Sequence, residues 1–353
     1  MSPNPVRAAD SAGSSRTPGI ATRLQLFATC PSSLLTPENY VESIVQVARW
    51  SEDAGCTGIL IYTDNTLVDP WLVAHAIVQN TSALSPLVAV QPVYMHPYAA
   101  AKIVSTFGFM HKRRIFLNMV AGGFKNDLAS LNDTTPHDKR YQRLIEYTLI
   151  IRGLLEANSP FTFEGEFYSI RNVTFTPRLS ADLFPGILVS GSSEAGMAAA
   201  REMGAIAVKY PEPPAQCNST LTLDVPCGVR IGIVARNNRD EAWSVALQRF
   251  PEDRKGQLTR QLATKVSDST WHKQLAELGA STNGNGDTYW LHPFENYQTN
   301  CPYLVGSYDA VAAELNRYIS AGYSTFILDI PFSAEEFEHI GAVFQLASRG
   351  VAV

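Results

Sequence analysis

The chain has 353 residues, 45% of them hydrophobic and 17% charged, which excludes a disordered chain and suits one large α/β barrel or two ordinary domains. Its 28 Lys and Arg against 33 Asp and Glu give a net charge of −5, which excludes a broad nucleic-acid-binding face because phosphate binding needs clustered cations. No apolar run approaches the roughly 18 residues of a membrane span. Residues 1–20 are rich in Ser, Pro, Ala and Arg without the apolar core of a secretory signal, and are expected to form a disordered leader. Five cysteines (Cys30, Cys56, Cys217, Cys227 and Cys301) are widely spaced and form no Cys-x-x-Cys pair. That pattern suggests neither a zinc ribbon nor a dithiol centre, and fits reduced thiols in a cytoplasmic protein.

After the leader, short apolar runs alternate with longer amphipathic segments. Residues 24–29 read as a strand. Pro37 opens a helix to about Ala54, with Val41, Ile44, Val45 and Ala48 at helical spacing and Gly55 in the usual C-terminal position. Residues 58–62 form a second strand, and Pro70 begins a second helix at its first turn. Strands at 87–91 and 114–120 and helices from Pro97 to about His111 and from His137 to about Leu155 follow. The aromatic pieces at 160–178 predict a hairpin insertion bounded at about 158–182. Alternation resumes with a strand at 186–190, a helix from Glu194 to Met203 and a strand at 205–209. Residues 211–228 are irregular and Pro-rich. A strand at 230–235 and a helix from Arg239 to Arg249 precede a long polar stretch, 250–306, read as a second insertion and as a lid over the ligand. A helix from Tyr308 to Ala321, a strand at 325–328 and a helix from Ala334 to about Ala347 complete the pattern.

Eight strands with continuous apolar runs, nearly all followed by helices, suit parallel strands covered on both faces. They predict a (β/α)8 TIM barrel, with residues 21–353 as one domain carrying two insertions. The competitor is a doubly wound sheet, but no Gly-x-Gly-x-x-Gly follows the first strand. In a barrel the active site lies at the C-terminal strand ends, a rule that selects Thr29, Cys30, Tyr62 to Asn65, Gln91 to Tyr94, Asn118 to Gly123, Ser190 to Ser193, Lys209 to Glu212, Arg236 and Asp329 to Phe332.

Within that set, Ser190-Gly191-Ser192-Ser193-Glu194 ends a strand, turns at glycine and opens a helix, whose N-terminus suits a phosphate. Simple capping by Ser193 is the alternative. His137 and Tyr141 stand four apart and share a helix face, and with Asn118 and Ala121-Gly122-Gly123 they could line one pocket. The seven histidines form no His-Glu-x-x-His pattern and no Gly-x-Ser-x-Gly elbow occurs, so neither a metal site nor a hydrolase is supported.

The order and spacing of several segments resemble the bacterial luciferase-like flavin monooxygenases, and within them the alkanesulfonate monooxygenase branch. The segments are Ala54-Gly-Cys-Thr-Gly-Ile-Leu-Ile, Asp69-Pro-Trp-Leu-Val-Ala, Leu87-Val-Ala-Val-Gln-Pro, Arg114-Ile-Phe-Leu-Asn-Met-Val-Ala-Gly-Gly, His137-x-x-Arg-Tyr, Phe163-Glu-Gly-Glu-Phe-Tyr, Ser190-Gly-Ser-Ser-Glu, Asp240-Glu-Ala-Trp and Leu304-Val-Gly-Ser. The resemblance implies a two-component flavoprotein of the barrel class. An NAD(P)H-dependent flavin reductase would supply reduced FMN, which with O2 as co-substrate gives a peroxyflavin that oxygenates a small organic substrate. It implies that Gly191, Ser192 and Ser193 hold the FMN phosphate with His137 and Tyr141, and that Asn118 and the backbone near Ala121 contact the flavin ring with Val90 nearby. A homodimer or homotetramer is implied as well. Rival readings are an F420-dependent oxidoreductase on the same barrel and a non-catalytic flavin-binding relative.

The chain departs from that branch at the substrate end. Leu67 stands where the branch has a cysteine, Gly232 where it has a histidine, Tyr297 near the place of a mobile-loop arginine, and Pro331 beside Phe332 where it has a tyrosine. Only Arg230 keeps its place. The departures point to a larger, less charged substrate, as in natural-product tailoring or organosulfur and heterocycle metabolism. Tyr62 and Arg230 are the expected substrate contacts, and Arg230, Tyr297 and Phe332 the candidates for catalysis.

Overall fold

The computed structural model describes residues 24–31, 37–122, 125–191, 193–214, 224–266 and 288–349. The expected leader lies outside them. In chain order the elements are β1 (Gln25–Thr29), α1 (Pro37–Asp53), β2 (Gly58–Ile61), α2 (Pro70–Asn80), β3 (Ser85–Val90), α3 (Pro97–His111), β4 (Phe116–Met119), α4 (Lys125–Ser130), α5 (His137–Glu156), β5 (Phe161–Glu164), β6 (Ser169–Val173), β7 (Gly186–Ser190), α6 (Glu194–Met203) and β8 (Ile206–Lys209). They continue as β9 (Cys227–Arg236), α7 (Arg239–Arg249), α8 (Arg254–Val266), β10 (Tyr289–Trp290), α9 (His292–Glu295), β11 (Tyr303–Ser307), α10 (Tyr308–Ser320), β12 (Tyr323–Leu328) and α11 (Ala334–Arg349).

Eight parallel strands close a ring in the order β1-β2-β3-β4-β7-β8-β9-β12, with β12 returning to β1. These are the eight runs that the sequence marks as strands, so the barrel expectation holds. Helix starts follow local chemistry: the Asp69 carboxylate accepts the backbone N–H groups of Trp71 and Leu72 at the head of α2, with Pro at the first turn. The main core lies between the strands and the outer helices. A second apolar layer fills the barrel interior with Phe27, Leu60, Leu87, Phe116, Leu188, Val208 and Ile327, one residue from each of seven strands. Phe27 and Phe116 meet edge to face there at 5.1 Å.

The expected hairpin insertion is β5–β6, an antiparallel pair. The Glu146 carboxylate of α5 fastens the turn by accepting the backbone N–H groups of Glu166, Phe167 and Tyr168. The second insertion differs from a single polar loop. Its described residues contain α8, β10, α9 and β11, and β11 runs parallel to the outer half of β9 from Tyr303 opposite Gly232 to Ser307 opposite Arg236. The short apolar run Tyr303 to Val305 makes this strand, and its position inside a polar stretch hides it from a periodicity reading. The ten-residue β9 thus serves two sheets: its first half closes the barrel with β8 and β12, and its second half carries β11. The expected lid includes residues 267–287, which lie outside the described residues, as do 215–223 of the irregular segment.

Candidate active site

Side chains alternate along a strand, so residues two beyond the inner apolar layer point into the same lumen one step nearer the C-terminal mouth. From Phe27, Leu60, Phe116, Leu188, Val208 and Ile327 this step gives Thr29, Tyr62, Asn118, Ser190, Tyr210 and Asp329. Val229 and Ile231 of β9 lie in the outer core, so Arg230 between them faces the lumen as well. An apolar plug therefore lies beneath a layer of hydrogen-bonding side chains at the C-terminal ends of the strands.

One sector of that layer joins β4, β7, α5 and α6. The Ser190 hydroxyl donates to the Asn118 side-chain oxygen at 2.8 Å, which fixes the amide in a buried position. Ser193 caps α6, its hydroxyl accepting from the Gly196 backbone N–H at 3.1 Å. The capping role is therefore realised, and the same hydroxyl also hydrogen-bonds the Tyr141 phenol. Burial raises the Tyr141 pKa, and the Ser193 bond only partly offsets this, so the phenol stays a neutral donor at physiological pH. The His137 ring stands edge-on to Tyr141 with centroids 5.3 Å apart. A Cβ placed on Gly191 would lie 2.6 Å from the Tyr141 hydroxyl, so only glycine allows that phenol to close on the turn. Gly191 and Ser193 thus lie against Tyr141, with His137 beside it, the grouping that the resemblance implies. Ser192 lies outside the described residues. Val90 and Ala121 pack their side chains into the outer core, so each can offer a ligand only backbone, and the Val90 carbonyl already accepts the Val120 N–H at 2.9 Å.

The other sector joins β2, β9, β11 and β12. Arg230 is 5% exposed, and its guanidinium lies 4.7 Å from the Tyr62 ring and 3.7 Å from an Asp329 carboxylate oxygen. Asp329 accepts the Tyr303 hydroxyl at 2.8 Å. Burial, with the Asp329 charge beside it, pushes the Tyr303 phenol well up, so it remains a donor. Tyr303 occupies the space that Gly232 leaves, since a Cβ on Gly232 would meet its ring at 2.2 Å. Where the resemblance expects a strand histidine, this chain has a glycine and fills the gap with a tyrosine from β11.

Tyr297 and Phe332 belong to the rim. Tyr297 follows α9 with φ +59° and is 46% exposed. Phe332 is 54% exposed and lies 4.0 Å over the Arg249 guanidinium, with Phe250 edge-on at 5.9 Å. The structure pairs Tyr62 with Arg230 and groups Phe332 with Arg249. Sequence reasoning missed Tyr303 and gave Asp329 no role. The usable signal was Gly232, an inward position without a side chain, because a packed layer needs another residue to fill it. Beneath Phe332 the Glu336 carboxylate pairs with both Arg249 and Arg236. Burial raises its pKa, but the hydrogen bonds from Arg249 and Arg236 outweigh this and hold it below the usual carboxylate range.

Among the described residues no group of three or more His, Cys, Asp or Glu side chains could hold a metal ion, and no helix is long and apolar enough to cross a membrane. The family model for the luciferase-like monooxygenases matches residues 23–325. The chain is 33% identical over 320 residues to the 4-(gamma-L-glutamylamino)butanoyl-[BtrI acyl-carrier protein] monooxygenase BtrO of Niallia circulans, covering 89% of this chain and 94% of that one. Its fold is similar to the EDTA monooxygenase EmoA from Chelativorans sp. BNC1 (TM-score 0.69, 15% identity, 94% of this chain and 95% of that one). It is also similar to the coenzyme F420-dependent tetrahydromethanopterin reductase from Methanopyrus kandleri (TM-score 0.61, 13% identity, 94% and 100% covered).

Proposed function

Because the chain belongs to the luciferase-like monooxygenase family, we propose that it is a two-component enzyme that takes reduced FMN from a separate NAD(P)H-dependent flavin reductase and uses O2 to oxygenate a small organic substrate. In this reading it works in the cytoplasm as a homodimer or homotetramer. Bound reduced FMN would supply the electrons that activate O2.

The observation that carries the reading is the closed contact among Gly191, Ser193 and Tyr141. A glycine turn with no room for a Cβ, a capped helix N-terminus and a neutral buried phenol together suit a phosphate monoester. The phenol donates, the helix end offers backbone N–H groups lacking intrahelical partners, and His137 stands beside them. The Asn118 amide, held by Ser190, would orient the edge of the isoalloxazine, and the Phe27 to Ile327 layer keeps water from entering below. The substrate would enter over Tyr62 and Arg230. The Niallia circulans relative makes an acyl group on a carrier protein the first substrate form to test.

The test is oxygen uptake by the purified protein with reduced FMN and carrier-bound acyl substrates, beside reduction of F420 under anaerobic conditions. Substrate-dependent oxygen insertion with FMN and none with F420 is expected. F420 turnover without oxygen uptake, or FMN binding with no oxygenated product from any substrate, would overturn the reading.

A further inference from the structure

Arg230 and Tyr62 each bury a polar atom that finds no partner among the described residues: the guanidinium Nε and the phenol hydroxyl. The two side chains are in contact, the guanidinium lying 4.7 Å from the Tyr62 ring, and both belong to the layer facing the barrel mouth. Buried donors are ordinarily satisfied, so two orphans on side chains in contact point to a group from outside that accepts their hydrogen bonds. The charge around them narrows that group. Asp329 faces Arg230 at 3.7 Å, close enough to neutralise its charge but beyond hydrogen-bond range, so the guanidinium keeps its donor while its charge is already matched. Tyr303 holds the Asp329 carboxylate in place at 2.8 Å, and Gly232 makes room for Tyr303. Two further arginines of this quarter, Arg236 and Arg249, are taken up by Glu336.

From this neutral pair of buried charges with spare donors we propose that the Tyr62–Arg230 subsite binds an uncharged acceptor, the carbonyl oxygen of an amide or thioester, and that Asp329 is the residue that sets this specificity against anions. The inference rests on the monooxygenase reading for what the subsite serves. A carboxylate or sulfonate would lose its hydration and meet a cation already paired with Asp329, so its burial is poorly offset. A carbonyl gives up far less hydration and takes both donors. Asp329 thus acts through Arg230, as a positioning residue that keeps the guanidinium from acting as an anion receptor.

The test measures binding of three probes of equal chain length, octanamide, octanoate and octanesulfonate, by ligand-observed NMR at pH 7. The full chain is used with and without FMN. Octanamide is expected to bind about tenfold or more tightly than either anion, the scale of one hydrogen-bonded charge left badly paired. Asp329→Asn removes the matching charge and is expected to reverse the order, with octanesulfonate gaining about tenfold or more. Tyr62→Phe is expected to weaken octanamide by roughly fivefold and leave the anions little changed. A wild-type protein that binds octanoate or octanesulfonate as tightly as octanamide, or that binds no octanamide, overturns the inference. If melting curves show that Asp329→Asn does not fold, the wild-type order and Tyr62→Phe decide it. FMN affinity is read in the same samples. Loss of FMN binding with the probe order intact sinks the flavin reading alone, and intact FMN binding with the wrong order sinks this inference alone.

Discussion

The β4–β7–α5–α6 sector and the β2–β9–β11–β12 sector of the barrel mouth both present polar side chains above the same apolar plug, yet they are assembled differently. The first is built from short-range patterns: Ser190 to Ser193 at a strand–helix junction, and His137 and Tyr141 one turn apart on α5. The second is built from residues distant in sequence, with Tyr62, Arg230, Tyr303 and Asp329 contributed by four strands or their ends. In the first sector Ser190 is bonded to Asn118 and Ser193 to the Gly196 N–H and the Tyr141 phenol, whereas in the second Asp329 holds Tyr303 while the Tyr62 hydroxyl and the Arg230 Nε have no partner among the described residues. A contiguous turn at a helix N-terminus suits a constant ligand, and a group assembled from four distant strands suits the variable part of the reaction.

The comparison breaks most severely where its supports are buried ions. Glu336→Ala strands Arg236 and Arg249 and is expected to cost about 3–5 kcal/mol in a denaturant melt. Because the folded Glu336 carboxyl lies below its ordinary range, its stabilisation is present above the unfolded value and lost as pH falls through the folded one. The wild-type melting temperature should therefore drop in the acid range, and more steeply than that of Glu336→Gln; parallel acid profiles would contradict the assignment. Next in size, Gly232→Ala drives a methyl into the Tyr303 ring and is expected to cost about 1–3 kcal/mol, with octanamide binding weakened while FMN binding persists. An unchanged melt would show that Tyr303 yields freely and does not fix Asp329. The smallest effect sharpens the other sector: Ser193→Ala removes the α6 cap and the Tyr141 partner and should cost about 1 kcal/mol, with FMN affinity falling as well. A loss of stability with unchanged FMN affinity would reduce Ser193 to a cap.

The difference between the sectors also explains what the sequence discloses. The eight barrel strands are legible because they are continuous apolar runs, nearly all followed by a helix signal, and the Gly191–Ser193 turn is legible because its chemistry is contiguous. Tyr303 is not legible, because β11 is five residues long within a polar stretch and its partner is the outer half of a strand that the sequence presents as ordinary. Asp329 is visible as a strand-end carboxylate, but its role depends on Arg230 and Tyr303 meeting it across the lumen, a long-range fact that spacing does not carry. The substitution that removes the expected histidine is read in the sequence as a loss, and in the structure as an exchange of one side chain for another from a different strand.

The most direct test of the central claim deletes one hydroxyl from each sector and measures FMN affinity by equilibrium titration. Tyr141→Phe is expected to weaken FMN binding about tenfold, the scale of one hydrogen bond to a charged phosphate, and Tyr62→Phe to leave it within about twofold of wild type. Unchanged affinity in Tyr141→Phe, or equal weakening in both variants, would contradict the assignment of the flavin phosphate to the Gly191–Ser193–Tyr141 sector.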